Sequence, residues 1–427
     1  MPPDSGTTVQ TAEPPGSESL TAPQARVDWT RATVWGLYLV TAAMPLYVLR
    51  WHVGPLPTTL LETLILATGA TYVASLRQRR RLWLRRTPLD VPIALLLAAG
   101  VISIFVAFNP IAAAGVYRAY FLEAVAVFYI AVDVLEQPRD VRGLMLAAGA
   151  GSALFALGQL VTFAVAAANH NVQLGAPPTF VYTSSNSVAL FLEPPVVFAT
   201  AFLLYPSQPR ERWYALACLA LLVPGVAVTL SRGMYAAFIV LAIVAVLAIG
   251  DARGKLVVTA IASAAIVILL LVPIVQQRLA LSGLSLLQRL VIFDQAWTVI
   301  MQNPVFGPGL ASYAAATAPL RSPNQWPSIY PHNLWLAFWS ETGLLGLLSF
   351  ATIYGMLLVR GWRALASATG LARTVLYGAV GTLIVYFVHG MVDTPYWKND
   401  LAVEFWLVAA MVIVAVDRFR TFGAQSA

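Results

Sequence analysis

The chain has 427 residues, 59% of them hydrophobic and 11% charged, with a formal net charge of +7. Apolar runs recur from one end to the other, which excludes a soluble globular domain, because a soluble surface cannot carry that much continuous apolar chain. The positive balance does not indicate nucleic acid, since the basic residues fall between apolar segments, where membrane orientation accounts for them. The lone cysteine, Cys218, excludes an intramolecular disulfide.

Residues 1–32 are rich in Pro, Ser, Thr and Gly and lack a basic start followed by an apolar stretch and a small-residue cleavage site. They read as a disordered cytoplasmic tail rather than a signal peptide. A window of about 20 residues, the length that crosses the hydrocarbon layer, then finds candidate spans at 34–50, 58–76, 90–108, 112–134, 143–168, 186–206, 213–230, 233–250, 256–275, 333–359, 374–392 and 401–417. The expected fold class is an all-α polytopic membrane protein of about 12 transmembrane helices. Pro194 and Pro195 fall inside one span, where they can kink a helix without removing it from the membrane. No internal repeat stands out. Residues 33–180 form an N-terminal group of helices, 181–418 a second region, and 419–427 a short cytoplasmic tail.

Lys and Arg in the loops set the orientation. With a cytoplasmic N-terminus, the inner set is Arg26, Arg31, Arg77, Arg79, Arg80, Arg81, Arg85, Arg86, Arg139, Arg142, Arg210, Arg212, Arg253, Lys255, Arg360, Arg363, Arg373, Arg418 and Arg420, which is 19 of 26. The run Arg77 to Arg86 reads as a topology anchor touching anionic lipid. Arg50, Arg118, Arg232, Arg278, Arg289, Arg321 and Lys398 remain on or near the outer side, where cations are disfavoured, and are read as kept for a ligand. Arg118 and Glu123 lie five apart within one span, a spacing that does not make them neighbours on a regular helix, so each is expected to reach a different partner.

The longest connection is the outer loop 276–331, and a loop of that length usually carries function or is disordered. This one reads as structured. Between Gly283 and Pro304 there is no Gly or Pro, and Leu286, Leu287, Leu290, Ile292, Phe293, Ala296, Trp297 and Ile300 recur at roughly helical spacing, as in an amphipathic helix on the membrane surface. Asn303-Pro304-Val305-Phe306-Gly307-Pro308-Gly309 ends it in a rigid turn. His332, one of four histidines, follows at the mouth of an apolar helix, a natural place for proton chemistry.

The series Arg289, Trp297, Asn303-Pro304, Gly307-Pro308-Gly309, His332-Asn333 and Gly343-Leu344-Leu345-Gly346 resembles the signature of the O-antigen ligase and O-antigen polymerase family. Ser231-Arg232-Gly233 at an outer helix junction and Asp393-Thr394-Pro395-Tyr396 are similar to two further landmarks. The likeness covers roughly residues 180–410 and makes 181–418 the catalytic region. It implies a membrane-embedded glycosyltransferase of the GT-C type in the inner membrane. Such an enzyme moves a glycan from an undecaprenyl-pyrophosphate carrier to an acceptor hydroxyl, on lipid A-core or another surface glycan, at the outer face and without a cofactor.

Within that resemblance the residue chemistry is coherent. Arg232 and Arg289 offer planar, permanently charged forks to the donor pyrophosphate, His332 is suited to take the proton of the acceptor hydroxyl, and Asn333, Asp393 and Arg118 are candidate supports. Plainer readings stand beside these. Arg232 suits a headgroup anchor, His332 a helix cap, Gly343 and Gly346 close helix packing, Asp393 a pair with Lys398, and Trp297, Trp335 and Trp339 an interfacial belt. No Asp-x-Asp motif, Gly-rich phosphate loop or Gly-x-Ser-x-Gly elbow occurs, no outer loop holds a cluster of His and carboxylates, and the first outer loop, Trp51 to Pro57, has no carboxylate. The expectation is a metal-independent inverting enzyme. A repeat-unit polymerase is the alternative within the class, and a lipid-linked glycan transporter the alternative outside it, with mid-membrane polar groups and matching halves as its marks.

Overall fold

A computed structural model of the chain describes residues 27–418 apart from 55, 82–84, 281, 324, 326 and most of 249–272. Both predicted tails lie largely or wholly outside these residues, and so does most of the ninth predicted span. The described chain is helical almost throughout, with α1 Trp29–Ala42, α2 Leu60–Gln78, α3 Asp90–Val106, α4 Pro110–Tyr117, α5 Glu123–Val134, α6 Pro138–Ala168, α7 Ser185–Leu204, α8 Pro209–Ala227, α9 Arg232–Ala248, α10 Pro273–Ala280, α11 Ser282–Gln302, α12 Tyr313–Ala316, α13 Leu334–Leu365, α14 Gly370–His389 and α15 Asn399–Asp417. Among the described residues, six segments are long and apolar enough to cross a membrane: 110–134, 138–168, 185–204, 334–365, 370–389 and 399–417. The protein is an all-α multi-pass membrane protein. Pro194 and Pro195 lie inside α7 and the helix runs on through them.

The first predicted outer loop is an antiparallel hairpin, β1 Arg50–Val53 with β2 Leu56–Thr59, in the register Arg50 to Thr59 and Val53 to Leu56. Thr59 then caps α2, its hydroxyl accepting from the Glu62 amide while Glu62 accepts the Thr59 amide at 3.1 Å. That reciprocal box satisfies two otherwise orphaned donors where the strand becomes a helix.

At the centre stands α15, in which every residue from Asn399 to Val416 is buried. It packs against α5, α7, α13 and α14. Around its N-terminal half gathers an aromatic cluster in which Phe338 stacks on Phe350 at 3.8 Å and Phe338, Tyr396 and Trp397 meet at 5.0–6.0 Å. Trp335 joins this cluster through Phe350, Tyr354 and Phe387, so it packs inward rather than serving only as an interfacial belt residue.

Ion pairs sort the helix ends into two faces. On one face Arg31 meets Asp140 at 2.5 Å, Arg142 meets Glu211 at 2.6 Å, and Arg360 meets Asp417 at 2.8 Å. Arg79 and Arg81 close on Asp133 at 2.7 and 3.0 Å. All of these arginines belong to the set predicted to be cytoplasmic. Two members of the Arg77–Arg86 run, read from the sequence as a topology anchor, therefore neutralise a fully buried carboxylate, and losing such partners costs about 3–5 kcal/mol.

The opposite face holds the expected outer residues, with one correction. Arg118 and Glu123 do pair, Nε to Oε1 at 3.3 Å, because a π-helical turn at Arg118–Leu122 widens the helix by one residue per turn and makes positions five apart neighbours. Arg118 also bonds Glu62 at 2.8 Å and the Pro57 carbonyl at 3.1 Å. It tethers the hairpin and α2 to α5.

Candidate active site

His332 sits in the left-handed region at φ 48°, two residues before α13. The helix cap is Asn333, not His332. The Asn333 side-chain oxygen accepts the Trp335 and Leu336 amides at 3.0 Å, and its amide nitrogen donates to the Met391 carbonyl at 3.0 Å. The Leu334 amide donates to the Gly390 carbonyl at 2.7 Å. The start of α13 is thereby zipped to the turn that follows α14, which carries Asp393.

Asp393 is turned toward His332 rather than Lys398. Its Oδ1 lies 3.2 Å from His332 Nδ1 and accepts the Thr394 amide at 2.9 Å, while Oδ2 accepts from the Asn186 side chain at 2.7 Å. Lys398 instead places its ammonium 5.3 Å from the centre of the Tyr182 ring. With Nδ1–H donating to the carboxylate, Nε2 keeps its lone pair for an incoming proton, the arrangement a carboxylate-oriented general base requires. Asp393 is 5% exposed and the His332 side chain 41%, so the carboxylate is sequestered and the ring is reachable.

Electrostatics follow from that geometry. Burial disfavours the charged ring of His332, but the adjacent Asp393 carboxylate outweighs it and raises the pKa above the ordinary histidine value. Burial likewise opposes charge on Asp393, and His332, His389 and Arg289 together hold it well below the usual carboxylate range. Arg289, half-buried on α11, acts on both members of the pair. Arg232 is the first residue of α9, beside Gly233, which packs on His389 and Val392. Of the predicted residues, His332, Asn333, Asp393 and Arg289 are thus gathered in one place, with Arg232 at the adjoining helix end. Arg118 belongs to the Glu62–Glu123 cluster.

The loop before His332 is built as expected over 283–302, and its two faces differ. Ala296, Val299 and Ile300 are buried, while Leu287, Leu290, Val291 and Trp297 are half exposed or more. The buried side docks on the next segment, where the Tyr313 hydroxyl donates to the Ile292 carbonyl at 3.1 Å and the Gln295 side chain to the Leu320 carbonyl at 3.0 Å.

The Gly-rich elements fit together through backbone. Gly343 breaks α13 at φ 67° and ψ −175°, and the freed Leu344 amide donates to the Val305 carbonyl at 2.9 Å. A Cβ on Gly343 would stand 2.4 Å from that carbonyl oxygen, and one on Gly307, at φ 65°, would stand 2.4 Å from the Ser340 carbonyl. Both positions require glycine for conformation and for close approach. The packing reading survives for Gly346, which faces Ala99 on α3, but Gly343 receives the loop. Glu341 completes the joint, its carboxylate accepting the Ala311 amide at 2.5 Å while Ser103 donates to its carbonyl. Trp339 donates to the Pro304 carbonyl at 2.7 Å and meets Trp297 edge to face at 5.9 Å.

Sequence reasoning passed over Asn186, Glu193, Glu341 and His389. Carboxylates and a histidine inside apolar spans carry a signal in themselves, because a charge at membrane depth is costly and usually serves a purpose. Asn186 has no such signal.

Residues 217–351 match the family model described as O-antigen ligase. The match takes in Arg232, Arg289, His332, Asn333, Gly343 and Gly346 and ends before Asp393. Among curated proteins none matches the chain.

Proposed function

We propose that this chain, which matches the O-antigen ligase family model over residues 217–351, is a glycosyltransferase-like enzyme that transfers a glycan from a polyprenyl-pyrophosphate carrier to an acceptor hydroxyl at the outer face of the cytoplasmic membrane. The fold is read as GT-C-like, and the acceptor as lipid A-core or a comparable surface glycan. The observation that carries the reading is the His332–Asp393 pair at 3.2 Å, reachable from solvent and lying within the field of Arg289.

The reaction is a single displacement. His332 Nε2 takes the hydroxyl proton as the acceptor oxygen attacks carbon 1 of the sugar, the bond from carbon 1 to the phosphate oxygen breaks, and the electron pair leaves with the diphosphate. Asp393 orients the ring and stabilises the imidazolium that forms. Arg232 and Arg289 meet the charge that develops on the departing phosphate oxygens, where bidentate guanidinium groups are worth more than point charges. The configuration at carbon 1 inverts, and no metal ion is assigned a step.

The test is purified protein in proteoliposomes with a lipid-linked glycan, an acceptor and a chelator. The expected products are an extended acceptor and free polyprenyl pyrophosphate. Movement of the intact lipid-linked donor across the bilayer with no covalent transfer would identify a transporter instead, and loss of transfer on chelation would require a metal.

A further inference from the structure

Glu193 and His389 form a pair with no exposed surface, Oε1 to Nδ1 at 2.6 Å, between α7 and α14. Placing an acid and an imidazole together at membrane depth costs desolvation that an apolar pair would not. Three contacts show what this placement does. The bond to Glu193 fixes the plane of the His389 ring. The ring edge presses on Gly233 so closely that a Cβ there would lie 2.5 Å from Cδ2 and 2.6 Å from Nε2. The His389 carbonyl accepts the amides of Val392 and Asp393 at 3.0 and 2.9 Å.

We propose that the Glu193–His389 pair is a positioning strut that sets the end of α9 bearing Arg232 against the turn bearing Asp393. It rests on the reading that Arg232 meets the donor and His332 is the base. His389 touches neither reacting group in this account and acts through both. One edge of its ring spaces Gly233, hence Arg232, and its backbone spaces Asp393, hence the His332 ring. Glycine at 233 is then required because any side chain would push the strut aside.

The experiment compares Gly233→Ala, His389→Ala and the double variant in the transfer assay, with rates referred to folded protein. Misplacement of a catalytic group by about 1 Å costs on the order of 10²-fold, so each single variant should lose about that much kcat/KM, with donor KM raised and kcat lowered together. A purely structural role would lower the folded amount and leave KM alone. The double variant should be no worse than His389→Ala, because the vacated space accepts the methyl group. Multiplying losses, or unchanged KM in both single variants, would overturn the proposal.

A second arm needs no activity. Spin labels at exposed Ala236 and at Met391, in a Cys218→Ser background, should give one narrow distance distribution in the otherwise unaltered protein and a broadened, shifted one in the Gly233→Ala and His389→Ala variants. An unchanged distribution removes the strut. If the distances shift while His332→Gln and Arg232→Lys transfer normally, the strut stands and the functional reading fails.

Discussion

Nδ1 of His332 and Oδ1 of Asp393 meet at 3.2 Å across 61 residues of chain, and the zipper of Asn333 and Leu334 against residues 390 and 391 is what brings them together. A histidine ahead of one helix and an aspartate behind another become a single unit through two hydrogen bonds, Asn333 side chain to Met391 carbonyl and Leu334 amide to Gly390 carbonyl.

The pH dependence of transfer follows from that unit. The pKa of His332 is raised, and a base works only when neutral, so transfer should climb with pH through a midpoint above the ordinary value of 6.5. Asp393→Asn removes the charge that raises it, leaving burial to push the other way. The midpoint should then move to lower pH, with a reduced plateau from lost ring orientation. A pH–rate profile of both proteins checks this, and an unmoved midpoint would separate Asp393 from the titrating group.

Arg232→Lys and Arg289→Lys keep the charge and lose the bidentate fork. Each should reduce transfer and raise donor KM while the protein still inserts and folds. Steady-state kinetics against donor concentration decides between this and a headgroup-anchor role, for which lysine serves as well.

Gly343→Ala forces a side chain into the left-handed region and against the Val305 carbonyl, 2.4 Å away. The backbone term alone costs about 1–3 kcal/mol, so the thermal midpoint in detergent should fall and transfer with it. Gly355→Ala, where an added Cβ meets nothing within 4 Å, is the control and should leave both unchanged.

Much of this architecture is legible in the chain. Apolar runs locate the helices because backbone in hydrocarbon must satisfy its own hydrogen bonds, and freedom from Gly and Pro locates α11. The pairing of Arg118 with Glu123 is not legible, since the π-turn that creates it depends on packing rather than on local pattern. His332 and Arg289 stand out by being titratable or basic where such residues are disfavoured. Asn186 does not, because its contact with Asp393 spans 207 residues and is set by how α7 packs on α14. The Trp335 ring looks like any interfacial indole until α13 and α14 are placed together.

Topology is open to labelling. In a Cys218→Ser background, cysteines at Ser322 and Ser367, both exposed, should react with an impermeant thiol reagent differently. Ser322 should label in intact cells and Ser367 only after permeabilisation. Equal labelling would overturn the outer placement of the site.

The most direct measurement of the central claim is glycan transfer by His332→Gln in proteoliposomes with purified lipid-linked donor. Glutamine keeps a hydrogen-bonding group at the position and cannot take a proton, so transfer should fall by roughly 10²- to 10⁴-fold while donor binding persists. Transfer at the unaltered rate would contradict the assignment of His332 as the base.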